Sequence, residues 1–238
     1  MNWQVPSIWS GGSVWIIGGG PSLTKQFNIP EEIVFAVRQG TMPFSSYSEY
    51  MKPLHSKHII GVNVAFMLGD WVDIAFFGDN GFFLKFKQEL LQFRGIRVSC
   101  NPMVAKYDWC KYLKKDGKKA SGISSEPGMV SWNLNSGAAA ISVAANAGAK
   151  KIFLLGFDMQ LDESNRQHWH NAYAPKKDNV KNRRTEKAGG PFSMHIRGFS
   201  QIKEDAIVRG IEIINVNPES KIENFPKMNL KEALSYGT

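Results

Sequence analysis

The chain has 238 residues, 43% of them hydrophobic and 21% charged; its net charge is +8 and it carries two cysteines. This length makes one large domain or two small ones and buries roughly 70% of the unfolded surface, and the composition excludes a disordered chain. No run approaches the roughly 20 apolar residues of a membrane helix, and no basic stretch precedes the first apolar segment as in a secretion signal. Cys100 and Cys110 are too few for a disulfide framework or a four-cysteine zinc site, and they read as reduced thiols in a cytoplasmic protein.

In chain order, Ser13–Ile17 reads as a buried strand that runs into Gly18, Gly19 and Gly20. Residues 33–37 read as a second strand, His58–Val62 as a third stopping at Asn63, and residues 72–77 as a fourth stopping at Gly78 and Asp79. Helical spacing over 80–93 puts Phe83, Phe86, Leu90, Leu91 and Phe93 on one buried side. Ile96–Ser99 is a short strand. The Ala-rich run 136–147, stopped by Gly148, is a helix. Lys151–Leu155 is a strand ending at Gly156, 199–208 a helix stopped by Gly210, 211–216 the last strand and 230–234 a closing helix.

Strands alternating with helices predict an α/β class, a Rossmann-like three-layer sandwich with a mostly parallel sheet in one domain, 1–238. Such sheets bind ligands outside the carboxyl ends of their strands, where this chain places its glycines, Asn63, Asp79, Asp158 and Asn215. Two long segments interrupt the alternation, 100–132 and 157–195, and the second is expected to act as a lid. They hold the basic excess: five lysines and one aspartate over 111–119, and six lysines and arginines against Asp178 and Glu186 over 176–187. Such loops attract phosphate-bearing partners; they serve equally as solvated faces that keep a protein soluble.

Four motifs carry chemistry. Gly18-Gly19-Gly20-Pro21-Ser22-Leu23 follows a strand, so its glycines let the backbone approach a phosphate and Ser22 can cap the next helix. It is neither a Walker loop nor a G-x-G-x-x-G fingerprint, and a plain tight turn fits as well. Asn135, Ser136 and Gly137 open the Ala-rich helix as a second anion site or as an ordinary cap. Asp158, followed by His168, Trp169 and His170, offers either divalent-metal ligands or a general base. His195, ahead of a helix, is a base candidate or a surface histidine. Trp132, Trp169 and Tyr173 sit where they could stack a base or sugar.

Together these segments resemble two related groups: the bacterial sialyltransferases that use a CMP-activated sugar, and the group similar to 6-hydroxymethylpterin diphosphokinase. The shared features are a strand with a G-x-G-P-S-L turn (VWIIGGGPSL), a strand ending in Asn (IIGVN), and an S-G helix followed by a strand and G-x-D (NSGAAAISVAANAGAKKIFLLGFDM). An H-x-x-G-x-S segment from His195 to Ser200 and the tail IEIINVNPESKIENF match the sialyltransferases. The arrangement, over roughly 13–225, is also similar to small phage-encoded members labelled only as morphogenetic.

The resemblance implies a glycosyltransferase that moves a sugar from a nucleotide-sugar donor to an acceptor hydroxyl. Gly18, Gly19, Gly20, Pro21, Ser22, Asn63, Asp79, Asn80, Asn135, Ser136, Gly137 and Tyr173 would surround the donor. His195 would be the base, with His168, His170 and Asp158 as further catalytic candidates. Lys176, Lys177, Arg183, Arg184 and Arg197 would contact the leaving phosphate or the acceptor. Gly19 stands where the sialyltransferase turn has an Asn, and Tyr173 is the one nearby candidate for the tyrosines that hold the leaving phosphate. No cofactor beyond the nucleotide sugar is expected. The basic loops admit a DNA acceptor, such as a modified base if the chain is phage-encoded, in which case it would act in the host cytoplasm. A homo-oligomer is compatible with the sequence. Two alternatives are an ATP- and Mg²⁺-dependent pterin-type diphosphokinase, with Asp79, Asp158, His168 and His170 as metal ligands, and a phage assembly or interaction protein without chemistry.

Overall fold

The computed structural model describes residues 3–173 and 192–236. Its strands are β1 (Ser13–Ile17), β2 (His58–Val62), β3 (Ile74–Phe77), β4 (Ile96–Ser99), β5 (Lys111–Tyr112), β6 (Lys114–Lys115), β7 (Met129–Val130), β8 (Lys151–Leu155) and β9 (Glu212–Asn215). Seven of them form one sheet in the order β5-β4-β3-β2-β1-β8-β9, with every pairing parallel; β6 and β7 form a separate parallel pair. A parallel sheet must be covered on both faces, which is why its strands read as continuous apolar runs.

Alternation along each strand assigns the two faces. Val14, Ile16, Ile152 and Leu154 pack under α5 (Ser136–Asn146), whose alanines let it sit close over β1, β2 and β3, and under the helix over Gly198–Val208. Trp15, Ile17, Phe153 and Leu155 face the other side. They pack with α2 (Glu31–Gln39), a 3-10 stretch over Phe44–Leu54, and the phenylalanines of α3 (Asn80–Lys85) and α4 (Lys87–Gln92). The expected three-layer sandwich is therefore present. At its centre Trp15 stacks on Phe153 of the neighbouring strand, ring centroids 4.3 Å apart and 18° from parallel.

Three expectations need correction. Residues 33–37 are helical, inside α2. Pro30 precedes that helix, Glu31 and Glu32 sit in its first turn, and Gly40 closes it at φ +76°, so capping and charge outweigh the β-branched run. The single helix over 80–93 is two, broken at Phe86 (φ −110°, ψ 22°), and Leu91 is 38% exposed rather than buried. Segment 100–132 extends the sheet: β5 adds the edge strand, pairing Lys111 with Val98 and Tyr112 with Ser99.

Trp15 and Phe153 are both fully buried. Phe153→Ala should lower the unfolding free energy by about 3–5 kcal/mol in a urea titration. A loss below about 1 kcal/mol would mean that the stacked pair does not organise the centre of the sheet.

Candidate active site

β1 and β8 lie side by side, yet the chain leaves β1 toward β2 on one side and β8 toward β9 on the other. Such a switch point opens a crevice at the carboxyl ends of the strands, and here it is a cavity of about 510 Å³. The turns after β1, β2, β3 and β8 and the start of α5 supply most of its wall.

The glycines after β1 are required by close approach to protein rather than to a phosphate alone. A Cβ on Gly18 would lie 2.8 Å from the Gly156 carbonyl oxygen, and one on Gly20 would lie 2.6 Å from the Asp158 carboxyl group. Gly20 N–H donates to that same Gly156 carbonyl (2.8 Å). Asp158 is almost fully buried, and its carboxylate accepts from Ser22 N–H (2.7 Å), Ser22 Oγ (2.5 Å) and Asn217 Nδ2 (2.9 Å). Burial pushes this carboxyl upward while the three donors pull it down. Ser22 therefore does not cap its own helix, α1 (Ser22–Gln26); Pro21 is the N-cap residue and Asp158 takes the place of an external anion.

The H-W-H segment is docked onto the same turn. Trp169, nearly buried, donates Nε1–H to the Gly18 carbonyl (2.9 Å) and its backbone N–H to the Gly19 carbonyl (3.0 Å). Arg38 of α2 donates to the carbonyls of His168 (2.7 Å) and His170 (3.2 Å). The His168 ring then occupies the space of a side chain at 19, since a Cβ there would lie 2.8 Å from its Nδ1. The two imidazoles stack 5.0 Å apart and 4° from parallel, and Tyr173 meets both edge-on. Burial pushes His168 down to about 4 and His170 well below the ordinary imidazole value, so both are neutral at pH 7.

Across the cavity, Asn133 and Leu134 both take left-handed backbone, at φ +53° and +54°. Asn133 is held there by its side chain, which accepts from Gly122 N–H (2.7 Å) and donates to the carbonyls of Gly122 (2.9 Å) and Ser131 (3.0 Å). The pair delivers Asn135 to cap α5, accepting from Gly137 N–H (2.8 Å) and Ala138 N–H (3.3 Å). It also aims the Leu134 carbonyl at His195 Nδ1, 2.9 Å away. A carbonyl only accepts, so Nδ1 carries the proton and Nε2 is left as the basic nitrogen. His195 lies in α6 (Ser193–Ile196), just ahead of α7 (Gly198–Val208); α8 (Leu230–Tyr236) is the last helix.

Of the expected site residues, Gly18, Gly19, Gly20, Asn63, Asp79, Asn135, Ser136, Gly137, Asp158, His168, His170, Tyr173 and His195 meet at this cavity. Pro21, Ser22, Asn80 and Arg197 lie outside its wall. Lys176, Lys177, Arg183 and Arg184 lie outside the described residues. Asn215 is buried and structural, donating to the Phe157 carbonyl and to Ser220 Oγ. Asn63 has left-handed backbone (φ +51°), and its buried Oδ1 meets no partner among the described residues; the same holds for His168 Nδ1. Among the described residues no three of His, Cys, Asp and Glu gather as a metal site. The four residues expected as Mg²⁺ ligands therefore form no cage, Asp158 being engaged by Ser22 and Asn217.

Trp132, expected near the site, is in the wall; sequence reasoning missed Lys85 and Phe192 there and Arg38 and Asn217 behind it. Asn217 carried a signal, the asparagine in the N-P tail after β9. Arg38 carried none, because its helix read as a strand.

No family model matches the chain, and no curated protein matches it. Among solved structures it is similar to a single-residue variant of the sialyltransferase Cst-II in complex with CMP, at 15% identity over 91% of this chain and 86% of that one, with a TM-score of 0.51. It is also similar to CstII from Campylobacter jejuni with cytidine-5'-monophosphate as a substrate analogue, at 12% identity over 92% of this chain and 85% of that one, TM-score 0.48. The monofunctional alpha-2,3-sialyltransferase Cst-I from Campylobacter jejuni gives 14% identity, 91% and 80% coverage, and a TM-score of 0.47. At these identities the likeness, carried by the Cst-II variant, is one of fold: a Rossmann-like α/β domain of the kind seen in sialyltransferases.

Two outcomes follow from the geometry. The unfolded chain binds protons on His168 and His170 that the fold refuses, so the stability contributed by the neutral pair is complete above about pH 6.5 and is lost as the pH falls toward 4. Unfolding free energy should drop by about 2 kcal/mol or more from about pH 7 to about pH 5, and the double variant His168→Gln, His170→Gln should flatten that slope. Nitrogen NMR of His195 should show the Nδ1–H tautomer; an Nε2–H tautomer would break the assignment to Leu134.

Proposed function

We propose that the cavity binds a nucleotide-activated sugar and that the protein transfers the sugar to an acceptor hydroxyl, with His195 as general base. The observation that carries this reading is the meeting of three features in one cavity: the glycine turn at the switch point, the unpartnered buried Oδ1 of Asn63, and a histidine whose tautomer is set by a carbonyl. Pre-set tautomers of this kind are what a general base needs.

In the step itself, the acceptor oxygen bonds to the anomeric carbon and the bond from that carbon to the phosphate oxygen breaks. The electron pair leaves with the nucleotide, and the acceptor proton passes to His195 Nε2. Ser136 Oγ, in the cavity wall at the start of α5, can donate to the phosphate, and the dipoles of that helix favour an anion there. Asn63 Oδ1 is an acceptor suited to a base amino group. Asp79, at the rim, can accept from sugar hydroxyls. Asp158 acts as a positioning residue, because its oxygens are already engaged. The fold likeness to the CMP-bound Cst-II variant makes cytidine nucleotides the first donors to try.

A thermal-shift panel of CMP, UDP, GDP and ATP with their sugar conjugates tests the donor, since a ligand at about 100 times its Kd adds roughly 2.7 kcal/mol. His195→Ala should then lower kcat at least about tenfold while nucleotide affinity changes little. Wild-type turnover in that variant would remove His195 from the chemistry.

A further inference from the structure

A second cleft, of about 900 Å³, opens beside β5 at the free edge of the sheet. Trp3, Tyr107 and Tyr112 line it as half-buried rings, together with Lys111 and one acid, Asp108. Lys87 and Lys106 stand over the Tyr107 ring at 4.5 and 5.4 Å. Past the cleft the chain carries Lys114 and Lys115 in β6, and Lys115 Nζ lies 3.9 Å above the ring of Trp132, which forms part of the wall of the switch-point cavity. Among the described residues Lys106, Lys111, Lys114, Lys115 and Lys118 enter no ion pair, whereas Lys119 is neutralised by Asp205 at 2.8 Å. Along the chain, basic and ring-bearing residues thus follow one another from the edge cleft through β6 to Trp132 in the wall of the candidate active site.

We infer that these residues bind an unpaired nucleic-acid strand and lead it to the cavity. Lysines along a groove track a phosphate backbone, and half-buried rings between them stack bases; that combination marks single-strand binding. The preference for an unpaired strand has a geometric reason. Protein rings can stack on bases only where those bases have left a duplex stack. The strand's role as sugar acceptor rests on the transfer reading above; its binding does not.

The test is fluorescence anisotropy of a labelled oligothymidylate of roughly 20 nucleotides with the full chain. Affinity should fall at least about tenfold between about 50 and 200 mM salt. The triple variant Lys106→Glu, Lys111→Glu, Lys114→Glu should weaken binding at least about tenfold and flatten the salt slope. Tyr107→Ala should cost at least about fivefold, with Tyr107→Phe restoring it. The nucleotide thermal shift of the triple variant should match wild type. Absent or salt-independent binding would overturn the inference, as would a hyaluronan or heparin oligosaccharide that binds more tightly than the oligothymidylate. If the strand binds but no nucleotide or nucleotide sugar shifts the melting temperature, the transfer reading fails and the strand site stands; the converse result removes the strand site alone.

Discussion

The carboxylate of Asp158 is the contact on which the rest of the site depends. It joins the turns after two neighbouring strands whose connections run in opposite directions, and it does so with three hydrogen bonds in a nearly dry setting. A buried carboxylate is tolerable only when its oxygens are satisfied. Ser22 and Asn217 meet that condition, and the geometry forces residue 20 to be glycine, because a Cβ there has no space beside the carboxyl group. Asp158, a catalytic candidate in the sequence, thus has its oxygens engaged by Ser22 and Asn217 in the wall of the cavity.

The H-W-H segment depends on that turn in its own way. Trp169 is fastened to the carbonyls of Gly18 and Gly19, and Arg38 gathers the backbone of both histidines. The absence of a side chain at Gly19 lets the His168 ring come within reach of the turn. Burial leaves both imidazoles neutral, so they offer lone pairs and N–H groups without charge. The opposite wall works by backbone strain: two consecutive left-handed residues, worth of order 1–3 kcal/mol each, persist because the Asn133 side chain is fully bonded. The result is a cap on α5 and a carbonyl aimed at His195.

Much of this was legible in the chain. The strands Ser13–Ile17, His58–Val62 and Lys151–Leu155 follow from short apolar runs ended by Gly, Asn or Gly, as expected of parallel strands buried on both faces. The concentration of small and polar residues at the strand ends placed Gly18, Asn63, Asp79 and Gly156 on one edge, and the structure puts them around one cavity. The helix over residues 31–39 is one of the misread elements, since a β-branched run masked flanking signals that were present in Pro30, Glu31, Glu32 and Gly40.

The sequence by itself determined which residues are apolar and how they alternate, and hence the three layers, the parallel sheet and the edge at which a ligand would sit. It also determined the two basic clusters. Tertiary structure alone decided what each polar residue does there. Whether Asp158 is a base or a brace, whether His168 is charged, and which nitrogen of His195 is basic all depend on partners far away in the chain. Ser22 is 136 positions from Asp158 and Leu134 is 61 from His195. Periodicity reports local geometry; hydrogen bonding and desolvation are set by what the folded chain brings into contact.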